Sequence, residues 1–241
     1  MEAKRWEDIK EFVEKNPDQM EKFIAGASYK NSNGITFSKI PSDKEDEAFD
    51  MLTNVIVNNE PLAVKLQMSE PGFKKNVCQN LLKMSNYQDL SIGAFDGDKV
   101  VGVFMSVDWS NQKRNMPETK EDVDFWRNKM NPLFSFILMN NASNVKKSKI
   151  LCHGITSGVL DEYTNKGIAR NALALRLALA KSLGFSDYII EAGYGASNAF
   201  KVYKHYMEFG SEMPFADFVF ENRKPFGDSE GGYIVFCRSL A

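Results

Sequence analysis

A short strand that passes through a polar turn into a long, nearly all-apolar helix leaves a chain few folds to choose from. Here that unit spans Ile150 to Gly184, ILCHGITSGVLDEYTNKGIARNALALRLALAKSLG. Ile150 to Val159 reads as the strand, Asp161 to Lys166 as the turn, and Gly167-Ile168-Ala169-Arg170 as the opening of the helix. Ala172, Leu173, Leu175, Leu177, Ala178 and Leu179 cover most of that helix, which predicts burial against a sheet. Gly184 stands where a C-terminal cap belongs. The turn is therefore expected to sit at a helix N-terminus, with free backbone N–H groups and the positive end of the helix dipole facing outward. Such a place suits phosphate.

Two common phosphate-binding patterns are absent: no G-x-G-x-x-G follows a strand, and no G-x-x-x-x-G-K-[ST] occurs. The stretch resembles motif A of the GNAT superfamily of acyl-CoA-dependent N-acyltransferases. That motif is a strand ending in Val, then roughly h-P-e-y, then [QR]-x-x-G-x-[GA]. Val159-Leu160-Asp161-Glu162-Tyr163-Thr164-Asn165-Lys166-Gly167-Ile168-Ala169 keeps its register without a gap. Thr164 replaces the usual Gln or Arg and Asp161 the usual Pro, which preserves the glycine turn and removes one customary side chain near the pyrophosphate. The resemblance implies acetyl-CoA as cosubstrate, held by Val159, Thr164, Asn165, Lys166, Gly167, Ile168, Ala169 and Arg170. Lys166 and Arg170 would add charge-assisted bonds to its phosphates. Read without the resemblance, the same residues also fit an ordinary βα turn with basic residues at a helix start.

The chain's 241 residues are 43% hydrophobic and 26% charged, the composition of a globular protein long enough for one large domain. A formal charge of −2 argues against nucleic acid or a membrane as the main partner. The first residues, MEAKRWEDIK, carry no apolar signal core, and no apolar run approaches a membrane span. Three widely spaced cysteines make a disulfide framework unexpected, so a reduced, cytoplasmic setting is the default. Two histidines and no cysteine pair at ligand spacing predict no metal site. A monomer or a homodimer fits equally.

Two short amphipathic helices are expected in residues 1–33, one carrying Trp6, Ile9, Phe12 and Val13, the other Met20, Phe23 and Ile24 after Pro17. They read as an extension to a domain of residues 34–241. Ile35 to Ile40 alternates like a strand, and Ser42-Asp-Lys-Glu45 reads as a capping box for a helix ending near Asn58. A further helix is expected from Phe73 to Met84. Asp96-Gly97-Asp98 lies between two β-rich runs and predicts a hairpin. A helical insertion follows at about 108–146, with a helical stretch from Pro117 to Asn144. After the central unit come a strand at Tyr188 to Glu191, a helix at Ser197 to Glu208, and strands at Ala216 to Glu221 and Tyr233 to Arg238. This order predicts an α+β fold with about seven strands in a mixed, mostly antiparallel sheet flanked by helices. It is also the element order of the GNAT fold.

Three further segments resemble invertebrate arylalkylamine N-acetyltransferases of the dopamine type: Asn59-Glu60-Pro61-Leu62, Ser197-Asn-Ala-Phe-Lys201, and Ala216 to Phe226 leading to Tyr233 to Leu240. The resemblance implies Glu60 as general base and Ser197 as a catalytic serine, with Lys201 where the family's second serine would be. Asn198 would contact the pantetheine arm, and Tyr203 would also help to bind the cosubstrate. Tyr206 matches the family's Y-x-x-x-G and Tyr203 lies one turn earlier, so either is a candidate acid for the departing thiolate. Gly154 to Gly158 is a candidate place for an oxyanion donor, since glycines in a strand permit a bulge. Capping and packing roles fit Glu60, Ser197 and both tyrosines as well, and His153 and His205 read as packing or surface residues. The implied activity is N-acetylation of a small primary amine, possible acceptors including arylalkylamines. Thr164 and Lys201 motivate an alternative, a catalytically weak CoA-binding module of the same fold with a sensing or partner-binding role.

Overall fold

The computed structural model describes residues 17–60, 63–64, 67–79, 82, 87–109, 151–193, 198–228 and 230–240. The first predicted N-terminal helix, the Pro117 to Asn144 stretch and Ser197 lie outside these residues. Helix α1 (Pro17–Ile24) leads to β1 (Tyr29–Lys30) and β2 (Thr36–Lys39), and helix α2 spans Glu45–Asn59. Strands β3 (Ile92–Asp96) and β4 (Lys99–Asp108) form the expected hairpin. Its turn places Gly97 at φ 58, a left-handed conformation that glycine adopts at no steric cost. Strand β5 (Leu151–Val159), helix α3 (Ile168–Ser182) and strand β6 (Asp187–Gly193) make up the central unit. Helix α4 (Asn198–Tyr206) and strands β7 (Glu208–Pro214) and β8 (Gly232–Ser239) complete the chain.

All eight strands join one sheet, in the order β1-β2-β3-β4-β5-β6-β8-β7. Every neighbouring pair is antiparallel except β5 and β6. Helices cover both faces. On one face α1 and α3 pack over Phe37, Ile92, Ala94 and Phe104, and α3 and α4 over Tyr188, Ile190 and Phe236. On the other, α2 packs over Val100, Val103, Met105 and Val107, while Phe215, Phe218 and Phe226 cover Ile189 and Val235. Leu173, Leu175, Leu177 and Leu179 of α3 are all buried, each contributing roughly 1.5–3 kcal/mol by removal from water. Gly184, at φ 84, ends α3: its N–H bonds the Lys181 carbonyl and the Phe185 N–H the Ala180 carbonyl. Among the described residues no helix is long and apolar enough to cross a membrane.

Three local expectations are corrected. Ser42 does not cap α2; it begins a 3-10 turn (Ser42–Lys44), and Lys44 occupies the N-cap without a side-chain capping bond. Glu47 instead accepts the Val100 N–H of β4 through Oε1 at 2.9 Å, tying the helix to the sheet. The helix expected from Phe73 begins earlier, as a turn Glu70–Phe73 capped by Ser69, and widens into a π turn at Lys74–Cys78. Ala216 to Glu221 is not a strand: Phe215–Asp217 form a 3-10 turn, and Glu221 and Asn222 adopt positive φ. The strand beside β8 is β7, within residues read as helix end and loop. Tyr29 and Lys30 join the sheet by pairing with β2, and Met20 and Phe23 of α1 share a cluster with Phe37 and Leu175.

Candidate active site

The predicted phosphate loop folds as its residues suggest. Asp161–Tyr163 form a 3-10 turn, and the Thr164 hydroxyl closes it by donating to the Asp161 carbonyl at 2.7 Å. Thr164 thus braces the loop from inside. Asn165 (φ 63) and Gly167 (φ 72) are left-handed and turn the chain into α3. Gly167 is the N-cap and supplies no side-chain acceptor to the first-turn N–H groups of α3. The Asn171 side chain bonds the Gly167 carbonyl at 2.8 Å, and Asn33 Nδ2 donates to the Lys166 carbonyl at 2.9 Å, holding the loop from two sides. The Lys166 ammonium lies 4.0 Å from the centre of the Tyr163 ring, and Arg170 is exposed on the first turn of α3. Val159 ends β5 just before the loop, and Ile168 and Ala169 begin the helix.

The strand feeding this loop separates from its neighbour. β5 and β6 pair only over Leu151–Gly154 and Asp187–Ile190. Beyond that point Thr156 to Val159 stay with β4, while Glu191 to Gly193 stay with β8. A register shift between Met105 and Ser106 marks the same level, where Met105 faces Thr156 and Ser106 faces Gly154. This bulge turns β5 outward. Gly154 is required here, because a Cβ would lie 2.5 Å from the Tyr188 hydroxyl, which bonds Ser106 Oγ at 2.9 Å. The result is a wedge-shaped opening at the carboxyl ends of two parallel strands, the place where ligands of parallel sheets commonly bind.

On one side of the wedge stands Glu60. It ends α2 in an extended conformation, its N–H bonded to the Ile56 carbonyl. Oε2 accepts the Ala63 N–H at 2.8 Å, and Oε1 accepts the Tyr233 hydroxyl at 3.2 Å. Burial, together with the adjoining Glu60 charge, holds the Tyr233 phenol well above its ordinary value, so it remains a donor. A Cβ at Gly193 would lie 3.0 Å from Glu60 Oε1, so the carboxylate rests over the end of β6. On the same face His153 Nε2 and Glu191 Oε2 lie 2.7 Å apart with both side chains 3% exposed, and Trp109 meets the His153 ring edge-on at 5.0 Å.

The opposite side carries Tyr203. Its hydroxyl lies 3.0 Å from Ser157 Oγ on the separated part of β5 and accepts Arg176 Nη2 at 3.3 Å. Tyr206, one turn on, is buried in the cluster between α3, α4, β6 and β8. Asn198 is the first residue of α4. The fold therefore gathers the loop of residues 159–170, Glu60 and Tyr203 around one opening. Sequence reasoning missed Tyr233, Ser157 and Arg176. The first two lack any local signal, and a lone arginine in a helix reads as a solvent-facing residue.

No protein-family model and no curated protein matches the chain. Solved structures do. The chain is similar to the C-terminal condensation domain of Ebony in complex with β-alanyl-dopamine (TM-score 0.70, 14% identity, over 85% of this chain and 98% of that one). It is similar to arylalkylamine N-acetyltransferase 2 of Aedes aegypti (TM-score 0.64, 18% identity, 88% and 100%). It also matches the Drosophila melanogaster polyamine N-acetyltransferase that forms N-acetylagmatine (TM-score 0.61, 9% identity, 85% and 99%). The chain has the GNAT fold of these acetyltransferases, with a mixed, mostly antiparallel sheet.

Proposed function

We propose that the protein is an acyltransferase that moves the acetyl group of acetyl-CoA to a small primary amine by direct attack in a ternary complex. One observation carries the reading. The start of α3, whose N-cap Gly167 supplies no side-chain acceptor, and the Glu60 carboxylate, which rests over the end of β6, lie on elements that border the gap between β5 and β6. The first-turn N–H groups and Gly167 fit a pyrophosphate. The separated backbone of β5 offers N–H and C=O groups to a pantetheine arm, and the bulge beside Gly154 suits an oxyanion donor.

An amine of ordinary basicity arrives as ammonium, and freeing its lone pair at pH 7 costs on the order of 4–5 kcal/mol. Glu60 is the base that takes this proton, oriented by Ala63 and Tyr233. Tyr203 is the acid for the leaving thiolate. It is favoured over Tyr206 because its hydroxyl reaches the separated part of β5. Ser197 is retained as a catalytic serine and Asn198 as a contact of the pantetheine arm. Arylalkylamines are the first acceptors to test, on the likeness to the Aedes aegypti enzyme, and polyamines the second, on the likeness to the Drosophila enzyme.

The test is thiol release from acetyl-CoA with tyramine, dopamine, serotonin, spermidine, lysine and glycine as acceptors. Turnover on any of them that is lost in Glu60→Gln supports the reading. Silence across the panel with CoA still raising the melting temperature favours a binding module of the same fold.

A further inference from the structure

Arg176 lies in the middle of α3 and is 1% exposed, although a guanidinium stays charged and is almost never fully buried without a partner. Its partners are few. Nη2 donates to the Tyr203 hydroxyl at 3.3 Å, and the guanidinium carbon lies 5.2 Å from the Phe104 ring centre and 5.7 Å from that of Tyr188. Nε and Nη1 have no acceptor among the described residues. Burying a cation without an opposite charge costs several kcal/mol. Among the described residues no carboxylate pairs with this guanidinium, and a cation aimed at a phenol at the edge of the cleft is explained if negative charge forms on that phenol during turnover.

We propose that Arg176 is a positioning residue for protonation of the leaving group. It orients the Tyr203 hydroxyl and stabilises the phenolate formed when that proton moves to the CoA sulfur. The proposal rests on the acetyl-transfer reading above. A guanidinium only donates, so it occupies a lone pair of the phenol oxygen and leaves the phenol proton for another acceptor. Ser157 Oγ, 3.0 Å away, is within reach to accept it at rest, and sulfur accepts it when acetyl-CoA is bound. After Glu60 has taken the ammonium proton and released it to solvent, the free amine nitrogen bonds to the acetyl carbon and passes its second proton to Glu60, and the C–S bond then breaks with its electron pair leaving on sulfur. The Tyr203 O–H bond then breaks, its proton completes CoA-SH, and the negative charge rests on the phenol oxygen beside Arg176. Tyr203 regains a proton from water and Glu60 releases one. A fixed charge waiting where negative charge will develop needs no rearrangement during the step.

The experiment is a kinetic cycle on the full chain with an acceptor that supports turnover, using Tyr203→Phe, Arg176→Met, Arg176→Lys and the two double variants. Tyr203→Phe is expected to lower kcat about 100-fold, at the low end for loss of a general acid. Arg176→Met is expected to lower kcat about tenfold with both KM values within about twofold, and Arg176→Lys to recover part of the loss. Neither Arg176 variant should reduce kcat further once Tyr203 is Phe. The proposal is overturned if the Arg176 substitutions cost the same factor with and without the Tyr203 hydroxyl, or raise KM and leave kcat unchanged. If Arg176→Met does not fold, the Arg176→Lys and Tyr203→Phe cycle decides alone. Wild-type silence on every amine overturns the acetyl-transfer reading and this proposal with it. Wild-type turnover with independent losses overturns this proposal only.

Discussion

The Tyr233 hydroxyl donates to Oε1 of Glu60 at 3.2 Å, joining the end of α2 to a strand 173 residues later. A hydrogen bond to a carboxylate favours its charged form. Tyr233→Phe is therefore expected to move the acid limb of kcat/KM to higher pH, by up to about one pH unit for a bond worth about 1 kcal/mol. Glu60→Gln is expected to lower kcat/KM by about 10²-fold or more and to abolish that limb. An acid limb that stays in place in both variants would remove Glu60 from the mechanism.

Gly193 offers a way to move the carboxylate without altering it. A methyl group there meets Glu60 Oε1 at 3.0 Å, the far end of a flexible side chain. Gly193→Ala is expected to lower kcat roughly 10–100-fold by displacing the base. Its melting temperature should fall by no more than about 2 °C, because no core atom has to shift. Equal, large losses of stability and rate would show that the glycine serves packing instead.

The loop gives a binding prediction. Gly167 sits at φ 72, where a β-branched side chain is strained by about 1–2 kcal/mol. Gly167→Val should lower the melting temperature by a few degrees and raise KM for acetyl-CoA more than KM for the amine. CoA at about 100 times its Kd should stabilise the wild type by about 2.7 kcal/mol and the variant by less. Calorimetry with and without CoA measures both, and equal stabilisation of the two proteins would place the phosphates elsewhere.

Thiol reactivity is set by burial. The Cys78 and Cys237 thiols are each pushed up to about 12, chiefly by desolvation, and Cys152 is raised further for the same reason. At pH 8 the thiolate fraction of the first two is then only about one part in 10⁴. Ellman's reagent should react with the native protein far more slowly than with the protein in denaturant, leaving a low background for CoA release. Three thiols titrating at the same rate in both conditions would contradict the buried placement.

What was legible in the sequence was what is local. Val159 to Ala169 announced its turn because a left-handed glycine, a polar loop and an apolar helix occur in consecutive residues, and Asp96-Gly97-Asp98 announced its hairpin for a similar reason. Ala216 to Glu221 misled because its aromatics are spaced like a strand, yet Phe215 and Phe218 are buried from a turn against Tyr233 and Val235. β7 escaped notice because none of its residues is fully buried and Phe209 is 60% exposed, so no apolar alternation marks it. Within the site, Glu60 stood out by resemblance alone, and its partner Tyr233 had no signal that proximity in sequence could carry. Arg176 was hidden for the opposite reason: charge normally marks the wet side of a helix, and here it marks the driest.

Four residue pairs join β5 to β6. Past Gly154 no ladder bond sets the gap between the two half-sheets. Its gape is governed by the cluster beneath, where Leu173 and Leu177 of α3 meet Tyr188, Tyr203 and Phe236. The bore of the cleft is thus a property of the core, and a change as remote as Leu177→Ala could retune which acceptors fit while leaving every reacting group in place.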